Sequence, residues 1–252
     1  DSDPSRGLGD VYKRQGISVA GPKSRDVLRS SLEDVSKITN ENLPFMGIIS
    51  TFLKGKIPCR IARISFSGEL AFEIYVKSDF ANTMMDLIWK NVQKYDGCLY
   101  GLEALGALRI EKGHVTAAEL DGRVTIDDAG LSKMASVKKS YIGSAMRKRG
   151  VLSDDDREIL VGFFPQDLKE TFNAGTIVCE EKSIKGQGIG RITSVTYSPE
   201  LGHHIGIGFV KGGLNIWKDK TLIGADPVRK KQTKLKVVSP HMIDPTGERM
   251  YA

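Results

Sequence analysis

The chain has 252 residues, 40% of them apolar and 27% charged, with 27 glycines, 9 prolines and 3 cysteines. That balance excludes a disordered, collagen-like or disulfide-scaffolded protein. Apolar runs such as 205–210 are short and broken by glycine, far below the roughly 20 residues that span a bilayer, and the net charge of +6 is divided as +2 through residue 140 and +4 after it, too diffuse for a nucleic-acid binder.

Residues 1–15 are polar, aperiodic and without the apolar core of a signal peptide; they read as an unrelated leader outside the fold. A strand is expected at 16–20, then Gly21-Pro22 and a helix with Val27 and Leu28 on its apolar side. A chain that enters directly on a strand reads as one that has lost preceding elements. Strand-like runs follow at 48–53 and 57–66, then a Ser67-Gly68 turn and a run at 69–76. In that last run Leu70, Phe72, Ile74 and Val76 share one face, and Ala71, Glu73 and Tyr75 the other. Ser78 is placed to cap a helix carrying Phe80, Met84, Leu87, Ile88 and Val92 inward, ending by Asp96-Gly97. A second helix after Tyr100-Gly101, with Leu102, Leu105 and Leu108 on its inner side, stops at Gly113.

Residues 122–149 are polar and turn-rich, and Ser153-Asp154-Asp155-Asp156 makes a hydrophilic break. Short strands are then expected at 159–164, 176–179, 188–197, 204–210 and 234–238, the pattern of a small β-barrel or sandwich. The basic run 229–236 reads as a solvated edge strand whose lysines discourage further pairing. The expected organisation is α+β: a leader over 1–15, a first domain over 16–140 and an all-β domain over 141–252.

Cys59, Cys98 and Cys179 are widely spaced and form no zinc pattern or C-x-x-C, which favours a reducing compartment and a cytoplasmic location. Gly186-Gln187-Gly188-Ile189-Gly190-Arg191 lacks the third glycine of a dinucleotide fingerprint and precedes no helix; its glycines suit a bent barrel strand. His203 and His204 point to opposite faces of a strand, and His114 and His241 have no ligand-spaced partners, so no metal site is expected. Asp127-Asp128 and 154–156 lie in turn contexts. The informative segment is 63–75, where an aromatic, Phe66, and a mid-strand carboxylate, Glu73, flank one turn. A ring to stack on and two oxygens to accept a fork of N–H donors suit a flat heterocycle.

Phe66-Ser67-Gly68-Glu69 with Phe72-Glu73-Ile74-Tyr75 resembles the Y-T-G-E-x-G-x-E-I segment of the glycine-cleavage T-protein (aminomethyltransferase) family. The resemblance extends through Gly21-Pro22-Lys23-Ser24-Arg25, Tyr100-Gly101-Leu102-Glu103-Ala104, Leu108-Arg109-Ile110-Glu111-Lys112-Gly113 and Tyr197-Ser198-Pro199-Glu200-Leu201-Gly202. Leu105 replaces the first arginine of the family's A-R-D-x-L-R segment. Glu111-Lys112-Gly113-His114, the run 121–131, and Asp244-Pro245-Thr246-Gly247-Glu248-Arg249 are instead similar to the C-terminal region of sarcosine oxidase α subunits, a branch of the same family.

The resemblance implies a partial aminomethyltransferase-like folate-binding domain followed by a small antiparallel β-barrel. It implies that Glu73 accepts hydrogen bonds from the pteridine of tetrahydrofolate while Phe66, at the tyrosine position, lines or stacks on the ring. Arg63, Glu69 and Arg109 match the motifs as supporting residues. The reaction implied is capture of the one-carbon unit of sarcosine oxidation as 5,10-methylenetetrahydrofolate, with other sarcosine oxidase subunits as partners. The family's catalytic aspartate would lie upstream of this chain, and NAD and flavin would bind outside it, so the chain alone is expected to be inactive and poorly soluble. Two alternatives stay open: an aminomethyltransferase or dimethylglycine dehydrogenase-like region, and a non-catalytic folate-binding module.

Overall fold

The computed structural model describes residues 13–181 and 187–252; most of the expected leader, and Gly186 of the glycine run, lie outside the described residues. Packing divides the chain into two units, one running to Gly101 and including Thr246–Ala252, the other comprising Leu102–Pro245.

The first unit is built on an antiparallel sheet of β1 (Arg14–Ala20), β2 (Ile48–Leu53), β3 (Ile57–Ala62) and β4 (Ala71–Lys77), in the order β1-β4-β3-β2. Helices α1 (Ser24–Ser31) and α2 (Ala81–Gln93) cover one face. Val27 and Leu28 from α1 and Met84 and Ile88 from α2 bury against Phe72, Ile74 and Val76 of β4, the face that alternation assigned to the core. Several boundaries shift by a few residues, two of them for evident local reasons. β3 ends at Ala62 rather than 66, because the Ser65 hydroxyl accepts the Gly68 N–H at 3.1 Å and starts the turn early. α2 starts at Ala81, behind a 3₁₀ turn over Ser78–Phe80, because the Ser78 N–H donates to the Lys13 carbonyl at 2.8 Å and still belongs to the sheet.

The second unit contains α3 (Leu102–Lys112) and a closed six-stranded antiparallel barrel. Its strands are β5 (Glu158–Pro165), β6 (Ile177–Cys179), β7 (Gly190–Ser198), β8 (His203–Lys211), β9 (Thr221–Asp226) and β10 (Lys231–Val238), closing in the order β10-β5-β8-β7-β6-β9. Closure decides between barrel and sandwich and removes the sheet edges. The barrel core includes Val161, Phe163, Val178, Ile192, Leu222, Leu235 and Val237. A short helix, α4 (Gly213–Trp217), follows β8.

Three expectations are corrected here. The basic run is not an edge: β10 pairs with β5 on one side and β9 on the other, with Thr233, Leu235 and Val237 buried and Lys234 exposed. β9 was not anticipated; Gly224 interrupts its apolar pattern because a side chain there would approach Leu235 Cδ1 within 2.5 Å. The inner side of α3 is not its leucine row: Leu102 is 86% exposed, whereas Arg109, Ile110, Glu111 and Lys112 are buried. Division by packing is a separate matter from the module boundary expected at 140/141: α3 packs on β7 and β8, so the second unit begins at Leu102.

Gly190 shows why the glycine run is structural. A Cβ there would stand 2.2 Å from the Phe209 carbonyl oxygen and 2.9 Å from Val210 Cα, both main-chain atoms of the neighbouring strand that cannot give way. Gly190→Ala is expected to cost about 1–3 kcal/mol by overpacking, read as a lower urea midpoint at unchanged slope.

Candidate functional site

Glu73 occupies the middle of β4, facing away from the helices, with Ser18 of β1 and Ala62 of β3 as its register neighbours. It is half-buried, and both register neighbours are small residues. Tyr75, two residues along and so on the same face, donates its hydroxyl hydrogen bond to Glu73 Oε2. That bond, reinforced by burial, pushes the Tyr75 phenol up to about 12. Gly16 lies opposite Tyr75 on β1; a Cβ at this position would stand 3.0 Å from Tyr75 Cε1. Arg60 of β3 flanks Tyr75 on the other side and is exposed.

The turn between β3 and β4 supplies the other motif residues. Phe66 is 41% exposed at its tip. Arg63 is almost fully buried and donates to Asn40 Oδ1 at 2.7 Å, to the Leu43 carbonyl at 3.3 Å and to the Met250 and Ala252 carbonyls at 3.3 and 2.8 Å. Burial lowers its guanidinium pKa, and the carbonyl dipoles around it supply the compensating negative ends. Glu69 accepts from Arg249 at 2.9 Å. Arg63 and Glu69 thus both hold the segment 249–252 against this turn.

Arg109 belongs to the second unit. Its guanidinium donates to Glu119 Oε2 at 2.9 Å, to Ser194 Oγ at 2.7 Å and to the His114 carbonyl at 3.2 Å. Glu119 is fully buried and accepts further bonds from Ser194 at 2.6 Å, Thr193 at 2.7 Å and the Thr116 N–H at 2.8 Å. Next along α3, Glu111 accepts from the Ser198 hydroxyl, and Lys112 pairs with Asp244 at 3.0 Å. Arg109 and Glu111, two residues apart on a helix, do not meet each other; each finds its own partner on the barrel side. Nothing in the residue pattern announced Glu119. Tyr75 carried a signal, its same-face spacing from Glu73, and Gly16 is the register partner that only pairing could identify.

Other groups contribute less. Burial raises the Cys59 thiol to about 11 and also raises that of Cys179, so neither is a thiolate at neutral pH. Asp128, expected as a turn residue, accepts the Thr125 N–H at 2.8 Å and also neutralises Arg157. Asp128 and Arg157, with Arg123, Glu158 and Arg191, line an open polar cavity of about 410 Å³, but each of its arginines is already paired, Arg191 with Glu158, Arg123 with Asp121 and Arg157 with Asp128. Among the described residues, no group of His, Cys, Asp or Glu is placed to hold a metal ion, and no helix is long and apolar enough to cross a membrane.

Comparison with known proteins adds ancestry to this geometry. The GCVT N-terminal domain family matches residues 10–139, and the glycine cleavage T-protein C-terminal barrel domain family matches residues 159–244. Sarcosine oxidase subunit alpha of Rhizobium meliloti (strain 1021) is 32% identical over 240 residues, covering 93% of this chain and 24% of that protein. The 4-methylaminobutanoate oxidase (formaldehyde-forming) of Paenarthrobacter nicotinovorans is 32% identical over 244 residues, covering 93% and 27%. The chain therefore spans about a quarter of the length of these relatives. The crystal structure of glycine cleavage system aminomethyltransferase T from Bartonella henselae superposes with a TM-score of 0.73 at 20% identity, over 92% of this chain and 60% of that one, which shows a shared fold. With one domain family matching more than half of its residues and the barrel family most of the remainder, the chain belongs to the glycine cleavage T-protein family.

Proposed function

We propose that this chain is the tetrahydrofolate-binding C-terminal part of a sarcosine oxidase α subunit, working within a hetero-oligomer that captures the one-carbon unit of sarcosine oxidation as 5,10-methylenetetrahydrofolate. The observation that carries this reading is Glu73: a half-buried carboxylate on the face of β4 away from the helices, with one oxygen held by Tyr75. Among the described residues no hydrogen bond engages its other oxygen, Oε1. Each carboxylate oxygen has two lone pairs, so Oε1 is open to one N–H of a planar ring and Oε2 can accept an adjacent one beside the Tyr75 hydroxyl, the fork in which a carboxylate accepts arginine. Phe66 at the turn tip offers an exposed ring for stacking. Bound tetrahydrofolate would supply the nitrogen nucleophiles; this chain's part is to orient the pteridine. Arg63 and Glu69 support the turn from behind, and Arg109 supports the barrel side through Glu119. By descent we assign 16–140 to the folate-binding module and 141–252 to the barrel module. Similarity to three sarcosine oxidase α subunits at 30–32% identity over 92–93% of the chain favours that branch over the aminomethyltransferases, which match at 27–28%.

Calorimetric titration of the 252-residue chain with tetrahydrofolate tests the reading. Glu73→Gln, which removes the charge but keeps the shape, is expected to weaken binding about tenfold or more, the effect of losing charged hydrogen bonds. Equal affinity in the two proteins, or a folded wild type that does not bind, contradicts it.

A further inference from the structure

We propose that Tyr75 is a positioning residue for the ligand carboxylate Glu73, and that Gly16 exists at its position to make room for the Tyr75 ring; this rests on the folate reading above. Residues i and i+2 of a strand share a face, so Tyr75 reaches Glu73 without bending the backbone, and its hydroxyl donates to Oε2. A carboxylate on an unflanked side chain samples several rotamers. Tied at one oxygen, it presents the other in a fixed direction, and a ligand's N–H donors meet an acceptor already oriented.

The surroundings support a positioning role over a packing one. Tyr75 and Glu73 are both half-buried, on the side of the sheet opposite the apolar cluster of Phe72, Ile74 and Val76. The cations placed on this face by register are Arg14 and Lys77 at one end and Arg60 beside Tyr75. Among the described residues none of them forms an ion pair with Glu73, which leaves the phenol as the group that orients it. On the β1 side, a side chain at position 16 would come within 3.0–3.1 Å of Tyr75 Cε1 and Cδ1, and Gly16 has neither a positive φ nor a turn to account for it.

A double-mutant cycle separates this role from a merely structural one. Tetrahydrofolate is titrated calorimetrically into wild type, Tyr75→Phe, Glu73→Gln and the double variant, with thermal unfolding recorded for each. Tyr75→Phe is expected to weaken binding about 3- to 10-fold at unchanged melting temperature, and the double variant to bind no more weakly than Glu73→Gln alone, because Tyr75 acts only through Glu73. Gly16→Val, which displaces the ring while keeping the hydroxyl, is expected to reproduce the loss seen in Tyr75→Phe. Wild-type affinity in Tyr75→Phe, or a loss that persists undiminished in the Glu73→Gln background, overturns the positioning role and leaves the folate reading standing. Equal binding by wild type and Glu73→Gln, or no binding by either, overturns both.

Discussion

Glu119→Ala is expected to destabilise the chain by about 3–5 kcal/mol, the cost of stranding one partner of a buried ion pair. The carboxylate is fully buried and the Arg109 side chain is 10% exposed, so the orphaned guanidinium has little water to turn to. Urea denaturation followed by Trp217 fluorescence in a Trp89→Phe background would report on the second unit. The double replacement Arg109→Leu with Glu119→Leu should cost less than Glu119→Ala alone, because it removes both charges together. A double variant worse than either single one would show that hydrogen bonding to Ser194 and Thr193, and not the charge pair, dominates.

The same network fixes a pH dependence. Burial by itself would raise the Glu119 carboxyl, but bonds from Ser194, Thr193 and the Thr116 N–H, with the Arg109 charge, outweigh it and hold the group below its ordinary value of 4.5. The unfolded chain therefore takes up this proton first as pH falls. The contribution is fully present above about pH 4.5 and is lost as pH drops through the lower folded value. Glu119→Gln should flatten the acid limb of the stability profile; an unchanged limb would show that other carboxylates govern it.

Phe72→Ala is expected to cost about 3–5 kcal/mol through the cavity it leaves. Phe72 is fully buried between the sheet and its helices, with the Arg25 guanidinium 5.4 Å from its ring centroid. Phe72→Leu, which keeps most of the volume, should cost under about 1.5 kcal/mol. The contrast with the adjacent Glu73→Gln is the informative part. One residue along the strand reverses the face, so Glu73→Gln should leave the melting temperature nearly unchanged while weakening ligand binding, whereas Phe72→Ala should lower both. A large stability loss in Glu73→Gln would mean that the carboxylate serves the fold.

The first unit was legible because its elements follow simple periods. Strict alternation from Leu70 to Val76 assigned the buried face, and Met84 and Ile88 did the same for α2. α3 defeated the same method because its inward face is polar: Arg109, Glu111 and Lys112 are buried against Glu119, Ser198 and Asp244. Hydrophobic periodicity assumes that burial selects apolar residues, and that fails where each buried charge has a polar partner outside its own helix. The basic run failed differently, since lysines alternating with Thr233, Leu235 and Val237 look the same on an edge strand and on a paired barrel strand.

The amino-acid sequence by itself determined the family, through motifs in a fixed order, the α+β and all-β character of the two halves, and Glu73 as a carboxylate set apart from the aliphatic row of its strand. Those features are local, written in short-range spacing and side-chain chemistry. Tertiary structure alone decided the barrel closure, the partners of Arg63, Arg109 and Glu119, and the pairing of β1 with β4 that sets Gly16 opposite Tyr75. Apart from the reach of ten residues or fewer among Arg109, His114, Thr116 and Glu119, these depend on contacts between residues tens of positions apart, and strand register, which no local pattern encodes, determines which side chain stands beside which.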